Sequence, residues 1–188
     1  MKLNPKMLMG IFIVAVMVLS IFGFVLNYKL GGSNSFDYNG FEFRQTQDGW
    51  IVELDGEEHA FFYHPTEVAS LPLTNETINL LTAAKNIVIS YNDEVEEPEL
   101  LGHLQYYMEL HISTQKIVTR ATTTGENAVI AMTCENATRT SPIIILDITN
   151  TTSIEEDGPC LTVQGSSGAA LAQQADRLQY VILGVMNE

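Results

Sequence analysis

The chain has 188 residues, a formal net charge of −14 and an apolar fraction of 46%. That length accommodates one membrane anchor and one domain of about 150 residues, and the hydrophobicity excludes a disordered chain. Lys2 and Lys6 precede the first apolar run; the other seven basic residues and all 23 acidic ones follow it, which leaves −16 on that part. Such a field repels phosphate backbones, so no nucleic-acid partner is expected.

From Met7 to Leu26 the chain runs for twenty residues without a charge. At about 1.5 Å per residue a helix of this length spans about 30 Å, the hydrocarbon thickness of a bilayer. Lys2 and Lys6 flank the near side and Lys29 alone the far side. The positive-inside rule therefore puts residues 1–6 in the cytoplasm and the chain after the anchor outside. The expectation is a single-pass signal anchor in the cell membrane, held in the lipid bilayer through residues 7–26. A cleaved signal peptide is a second reading, although Ile21-Phe22-Gly23 is a poor cleavage pattern. A pilin-type leader cut after Gly10 is a third, against which Asn27 to Gly32 breaks the helix promptly. All three export the rest. Residues 27–35, ending in Gly-Gly-Ser-Asn-Ser, read as a flexible tether.

A three-stranded β-meander is expected next, from Phe41–Thr46, Trp50–Leu54 and His59–His64. Asp48-Gly49 and Asp55-Gly56 punctuate it, and Asp-Gly between alternating strands signals a hairpin. Phe41 and Phe43 alternate with Glu42 and Arg44, and Trp50, Val52 and Leu54 with Ile51 and Glu53, so one face should cover a core. On the third strand His59, Phe61 and Tyr63 alternate with Ala60 and Phe62. Aromatic residues on both faces require a cover besides the sheet's own core, either the second half of the chain or a protein partner.

The second half alternates helix and strand. Glu76–Lys85 reads as a short helix capped by Thr74 or Asn75, and Asn86–Asn92 as a buried strand. Pro98 opens a helix to about Ser113. Strands are expected at Lys116–Arg120, Ala128–Thr133, Ile143–Ile148 and Cys160–Val163. A final amphipathic helix, Ala169–Val185, places Leu171, Ala175, Leu178, Ile182 and Val185 on one face. The pattern predicts an α+β domain with a mixed sheet over residues 36–188.

Cys134 and Cys160 both lie in the exported part, where a disulfide is the expected state; two buried thiols or a redox pair are the alternatives. Asn75, Asn136 and Asn150 begin Asn-x-Thr sequons, possible glycosylation sites on surface turns or simply polar turns and a helix cap. His59 and His64, five apart on one expected strand, face opposite sides. Glu99, His103 and Tyr107 share a helical face, but zinc needs three or four convergent ligands, so no metal or other cofactor is expected. Asp93 to Glu99 carries five carboxylates after a buried strand, where α/β folds place ligands. It lacks the EF-hand pattern and is expected to be solvated. Gly165-Ser166-Ser167-Gly168 has no following lysine, which excludes a phosphate-binding P-loop. No Gly-x-Ser-x-Gly elbow is present, and no catalytic residue is assigned.

The stretch from Phe36 to Pro65, with its Asn-Gly, Asp-Gly-Trp and Tyr-His-Pro punctuation, resembles archaeal single-pass membrane proteins anchored at their N-terminus. So do the runs Thr133–Thr138 and Asp176–Tyr180. The resemblance implies an anchored, exported domain and carries no activity. The expected function is a membrane-anchored, non-catalytic binding or structural domain outside the cytoplasm. The alternatives are a membrane-bound hydrolase or transferase, with Glu96, Glu97, Glu99 and His103 as its candidates, or an accessory subunit of a transporter.

Overall fold

The computed structural model describes residues 16–18, 35–125 and 130–187, and the chain divides into two compact units, residues 1–35 and 36–188. Of the expected anchor, only Val16, Met17 and Val18 are described, and they are helical. The rest of the anchor, and the tether before Ser35, lie outside the described residues. Among the described residues no helix is long and apolar enough to cross a membrane.

The second unit is α+β, with two sheets. The first is antiparallel and has four strands in the order β1-β2-β3-β4: Ser35–Tyr38, Phe41–Gln45, Trp50–Leu54 and Glu57–Phe61. The expected meander had three. The additional strand comes from Asn39-Gly40, whose φ angles of 52° and 83° make the same left-handed two-residue turn as Asp55-Gly56 at 53° and 86°. Phe43 pairs with Val52, and Trp50 with Phe61. Those four residues share the face that turns to the core. Gly49, at φ 139°, admits no side chain, since a Cβ there would stand 2.2 Å from the Phe61 carbonyl oxygen.

The strand expected at His59–His64 is β4, which ends at Phe61, earlier than expected. His64 caps a short helix instead, α1 (Pro65–Val68), with proline at its first position. The Thr66 amide donates to His64 Nδ1 at 3.3 Å, and the His64 amide donates to the Glu67 carboxylate at 2.7 Å. His59 and Phe61, whose cover the sequence leaves open between the second half of the chain and a protein partner, are buried at 1% exposure. Their cover is the second half of the chain.

That half forms a five-stranded mixed sheet in the order β6-β5-β7-β9-β8, with β5 (Asn86–Tyr91), β6 (Ile117–Arg120), β7 (Ile143–Ile148), β8 (Ser153–Asp157) and β9 (Cys160–Gly165). All its pairs are parallel except β8 with β9. Helix α2 (Asn75–Ala83) starts at the Thr74 cap, α3 is Pro98–Ile112 and α4 is Gly168–Ile182. Strand β8 had no counterpart in the sequence reading, because Ser-Ile-Glu-Glu-Asp lies at an edge and needs little apolar content. Of the strand expected at Ala128–Thr133, the described residues 130–133 form none. Ala128 and Val129 lie outside the described residues, and Ala131 makes only an isolated bridge to Thr122.

Helix α4 is the centre of the unit. Its expected apolar face, Leu171, Ala175, Leu178, Ile182 and the following Val185, is buried, and so are Gln174, Asp176, Arg177, Gln179 and Tyr180. One side joins Ile144, Leu146, Leu161 and Val163 of the five-stranded sheet in the main core. On the other side Tyr180 stacks on Phe61 at 4.1 Å and meets Phe43 edge-on at 5.9 Å. The far face of the large sheet is covered by the segment after β6, through Val88, Ile143, Ile145, Met132 and Ala137.

A disulfide joins Cys134, in a 3-10 turn, to Cys160 at the start of β9, with Cα atoms 5.3 Å apart. It closes a separation of 26 residues and ties the covering segment to the sheet. Such a closure contributes about 2–4 kcal/mol. Cys160→Ser is expected to lower the melting temperature by roughly 5–15 °C. Non-reducing peptide mapping should recover the linked pair, and two alkylatable thiols in the folded protein would refute it.

Candidate aromatic groove and acidic cleft

A cavity of about 790 Å³ is an open groove at the end of the small sheet. Strand β1 supplies Phe36 and Asp37, the β2–β3 turn supplies Gln47 and Asp48, and Trp50 opens β3. Phe62, Tyr63, His64 and Glu67 come from the turn between β4 and α1. Phe36 and Phe62 are 46% and 47% exposed, and Trp50 is half-buried. Phe36 stands edge-on to Trp50 at 5.3 Å and 77°, and His64 lies 4.5 Å from Trp50.

Buried bonds hold the turn that carries Phe62 and Tyr63. The Tyr63 amide donates to Asp176 Oδ2 at 2.9 Å, and the Tyr180 hydroxyl donates to the Tyr63 carbonyl at 2.7 Å. The Tyr107 hydroxyl donates to the carbonyl of Ala60. Burial pushes the Asp176 carboxyl up to about 8, against the pull of the Tyr63 and Phe62 amides toward the charged form.

A second, apolar groove of about 320 Å³ adjoins the first through Phe62 and Tyr63 and runs between Leu100, His103 and Tyr107 of α3 and Gly168, Ala169, Leu171 and Ala172 of α4. A third cleft of about 540 Å³ lies where α/β sheets commonly hold ligands. From β5 the chain passes to β6 on one side and then to β7 on the other, and the cleft opens at the carboxyl ends of β5 and β7. Glu94, Glu96, Glu97, Thr149 and Asn150 line it. Asp93 is engaged elsewhere. It accepts from the Thr123 hydroxyl at 3.1 Å and from the Thr124 amide and hydroxyl at 3.1 and 2.6 Å. Burial opposes its ionisation, but hydrogen bonds from Thr124 and Thr122 hold the carboxyl down to about 2.

The expected enzyme candidates are therefore divided. Glu96 and Glu97 line the acidic cleft, His103 lines the apolar groove, and Glu99 is exposed on the first turn of α3. Among the described residues no three His, Cys, Asp or Glu side chains are placed to hold a metal. Asn75, Asn136 and Asn150 are all exposed, although the Asn136 side-chain oxygen accepts from the Thr133 amide at 3.0 Å. His64, expected opposite His59 on one strand, has left the sheet altogether. The groove residues Phe36, Trp50, Phe62 and His64 were not singled out together by sequence. Two local signals point to them: Asn39-Gly40, which makes Phe36 part of a hairpin, and His64-Pro65-Thr66-Glu67, which reads as a capped helix start.

His59 and His111 form a buried pair with ring centroids 5.8 Å apart. Neither nitrogen of His59 has a hydrogen-bond partner among the described residues. Burial lowers both pKa values, that of His111 to about 4 with a further contribution from the His59 charge; Glu57 and Asp55 oppose the shift at His59. Comparison with protein-family models, with curated proteins and with solved structures gives no match.

These burials set opposite pH dependences. The unfolded chain protonates His111 near its ordinary 6.5 while the folded protein resists until about 4, so its contribution is complete above 6.5 and is lost as pH falls through that window. Asp176 holds its proton in the folded state from 3.8 to about 8, so its contribution is complete at low pH and is lost as pH rises through that range. Relative to wild type, His111→Phe should gain stability as pH falls from 6.5 to 4, and Asp176→Asn as pH rises from 4 to 8. Thermal melts across pH check this, and differences that stay constant with pH would refute it.

Proposed function

We propose that the chain is a membrane-tethered binding domain that works outside the cytoplasm, with the aromatic groove as its contact surface. The observation that carries the reading is the pair of rings Phe36 and Phe62, each nearly half exposed, flanking a 790 Å³ groove. Large apolar side chains left in solvent around a concavity mark a contact site more often than a packing accident. The uncharged run from Met7 to Leu26 supports the tether, and Lys2 and Lys6 support its orientation. The disulfide fits an oxidising compartment. The resemblance to archaeal single-pass membrane proteins points the same way.

Two measurements test it. Protease added to right-side-out vesicles should digest the domain while residues before Met7 stay protected; a protected domain would overturn the topology. A photo-crosslinker at Gln47, on the groove rim, should give adducts in native membranes that Phe36→Ala and Phe62→Ala abolish. Both rings are exposed, so each variant should melt within about 1–2 °C of wild type. Adducts no more abundant at Gln47 than at Ile117, a distant position 67% exposed, would sink the binding surface.

A further inference from the structure

We propose that the groove binds an alkylated ammonium cation, free in solution or carried on a lipid headgroup. The inference deepens the binding reading above and rests on it. Three rings meet at steep angles in one corner: Phe36 on Trp50 at 77°, Phe36 on His64 at 65° and Trp50 on His64 at 58°. Aromatic faces carry negative quadrupole charge and attract cations, most strongly for Trp. Steeply inclined rings present such faces to one point from more than one side.

The carboxylates agree with the rings. Asp37, Asp48 and Glu67 all line the groove and are exposed, and none of the lining residues is Lys or Arg. The chain beyond the anchor carries −16, so its field concentrates cations around it. His64 is the only residue of the lining that could supply a competing positive charge. Its Nδ1 accepts the Thr66 amide at 3.3 Å and stands 2.9 Å from the Thr66 hydroxyl, so that nitrogen is engaged in the cap of α1. Nε2 is buried with no hydrogen-bond partner among the described residues. A charged ring would carry a proton on both nitrogens and leave one without an acceptor, so burial favours the neutral ring, which completes an aromatic wall.

The same features select the kind of cation. A bare metal ion needs several converging oxygens, whereas here the exposed carboxylates come from three separate segments, and among the described residues no three such side chains are placed to hold a metal. An alkylated ammonium is weakly hydrated, and its methyl groups can touch the faces of Phe36 and Trp50 while its charge is balanced at a distance by Asp37 and Asp48.

Trp50 is the only tryptophan of the chain, so its fluorescence reports the site directly. The full chain in a neutral maltoside detergent is titrated with choline at constant ionic strength, with sodium chloride as the blank. It is titrated likewise with 3,3-dimethylbutan-1-ol, the uncharged isostere. Choline should give a saturable change, and the isostere should bind about tenfold more weakly or less. Asp37→Asn with Asp48→Asn should weaken choline binding several-fold without lowering the melting temperature, which separates charge loss from unfolding. Phe36→Ala should abolish the response. In phosphatidylcholine nanodiscs, a Trp50 change that added choline reverses assigns the headgroup as source; a change with choline alone assigns a free ligand. An isostere as tight as choline, or a double variant as tight as wild type, overturns the cation while leaving an apolar binding groove. No response to either compound, together with no adducts at Gln47, overturns the binding reading as well.

Discussion

The unit depends on one helix whose second half, from Gln174 to Ile182, has no solvent face. Helix α4 packs on the large sheet and meets the small one through Tyr180, and one core is continuous across both. Burial along that stretch takes its polar residues out of solvent, and Asp176 and Arg177 find partners on other segments. Asp176 takes the Tyr63 amide, and Arg177 donates to the Leu71 carbonyl at 3.3 Å. A buried carboxyl without such a donor would cost several kcal/mol. The bond that Asp176 makes therefore fixes where the chain leaves β4.

That fixed exit shapes the groove. Past Phe61 the strand cannot continue, because the Tyr63 amide is committed to Asp176 and its carbonyl to Tyr180. The chain turns, Phe62 swings outward, and His64 starts α1. The core face of the small sheet then runs on beyond the reach of Tyr180. Trp50, which continues the row of Val52 and Leu54, is left half-covered at its end. Phe36 and His64 close around it instead of a helix. The groove is where the sheet outlasts its cover.

The acidic cleft and the groove divide two properties that composition alone had merged. Carboxylates at the carboxyl edge of β5 read in sequence as one cluster, yet Asp93 is spent on Thr123 and Thr124, whereas Glu94, Glu96 and Glu97 remain on the cleft wall. His103, nearby along the chain, faces the other groove. Proximity in sequence across a helix start does not converge side chains, because the first turn of α3 rotates successive residues by about 100°.

Several features follow from sequence by itself. The length of the uncharged run, the hairpins at Asp-Gly, the parallel-type strands Ile-Val-Ile-Ser and Ile-Ile-Ile-Leu and the proline-opened helix are local, set by periodicity and backbone preference within a few residues. With only two cysteines a disulfide within the chain has one pairing, Cys134 with Cys160, but that it forms is a tertiary matter, with the Cα atoms brought to 5.3 Å. What tertiary structure decided is what each face meets. Nothing local shows that the polar side of α4, with Gln174, Asp176, Arg177 and Gln179, is as buried as its apolar side, since a helical stripe of polar residues ordinarily marks solvent. Nor does alternation along His59 to Tyr63 tell which aromatic rings are covered. Burial depends on the partner surface, and here that surface is Tyr180 of α4 together with His111 of α3, both contributed by the second half of the chain.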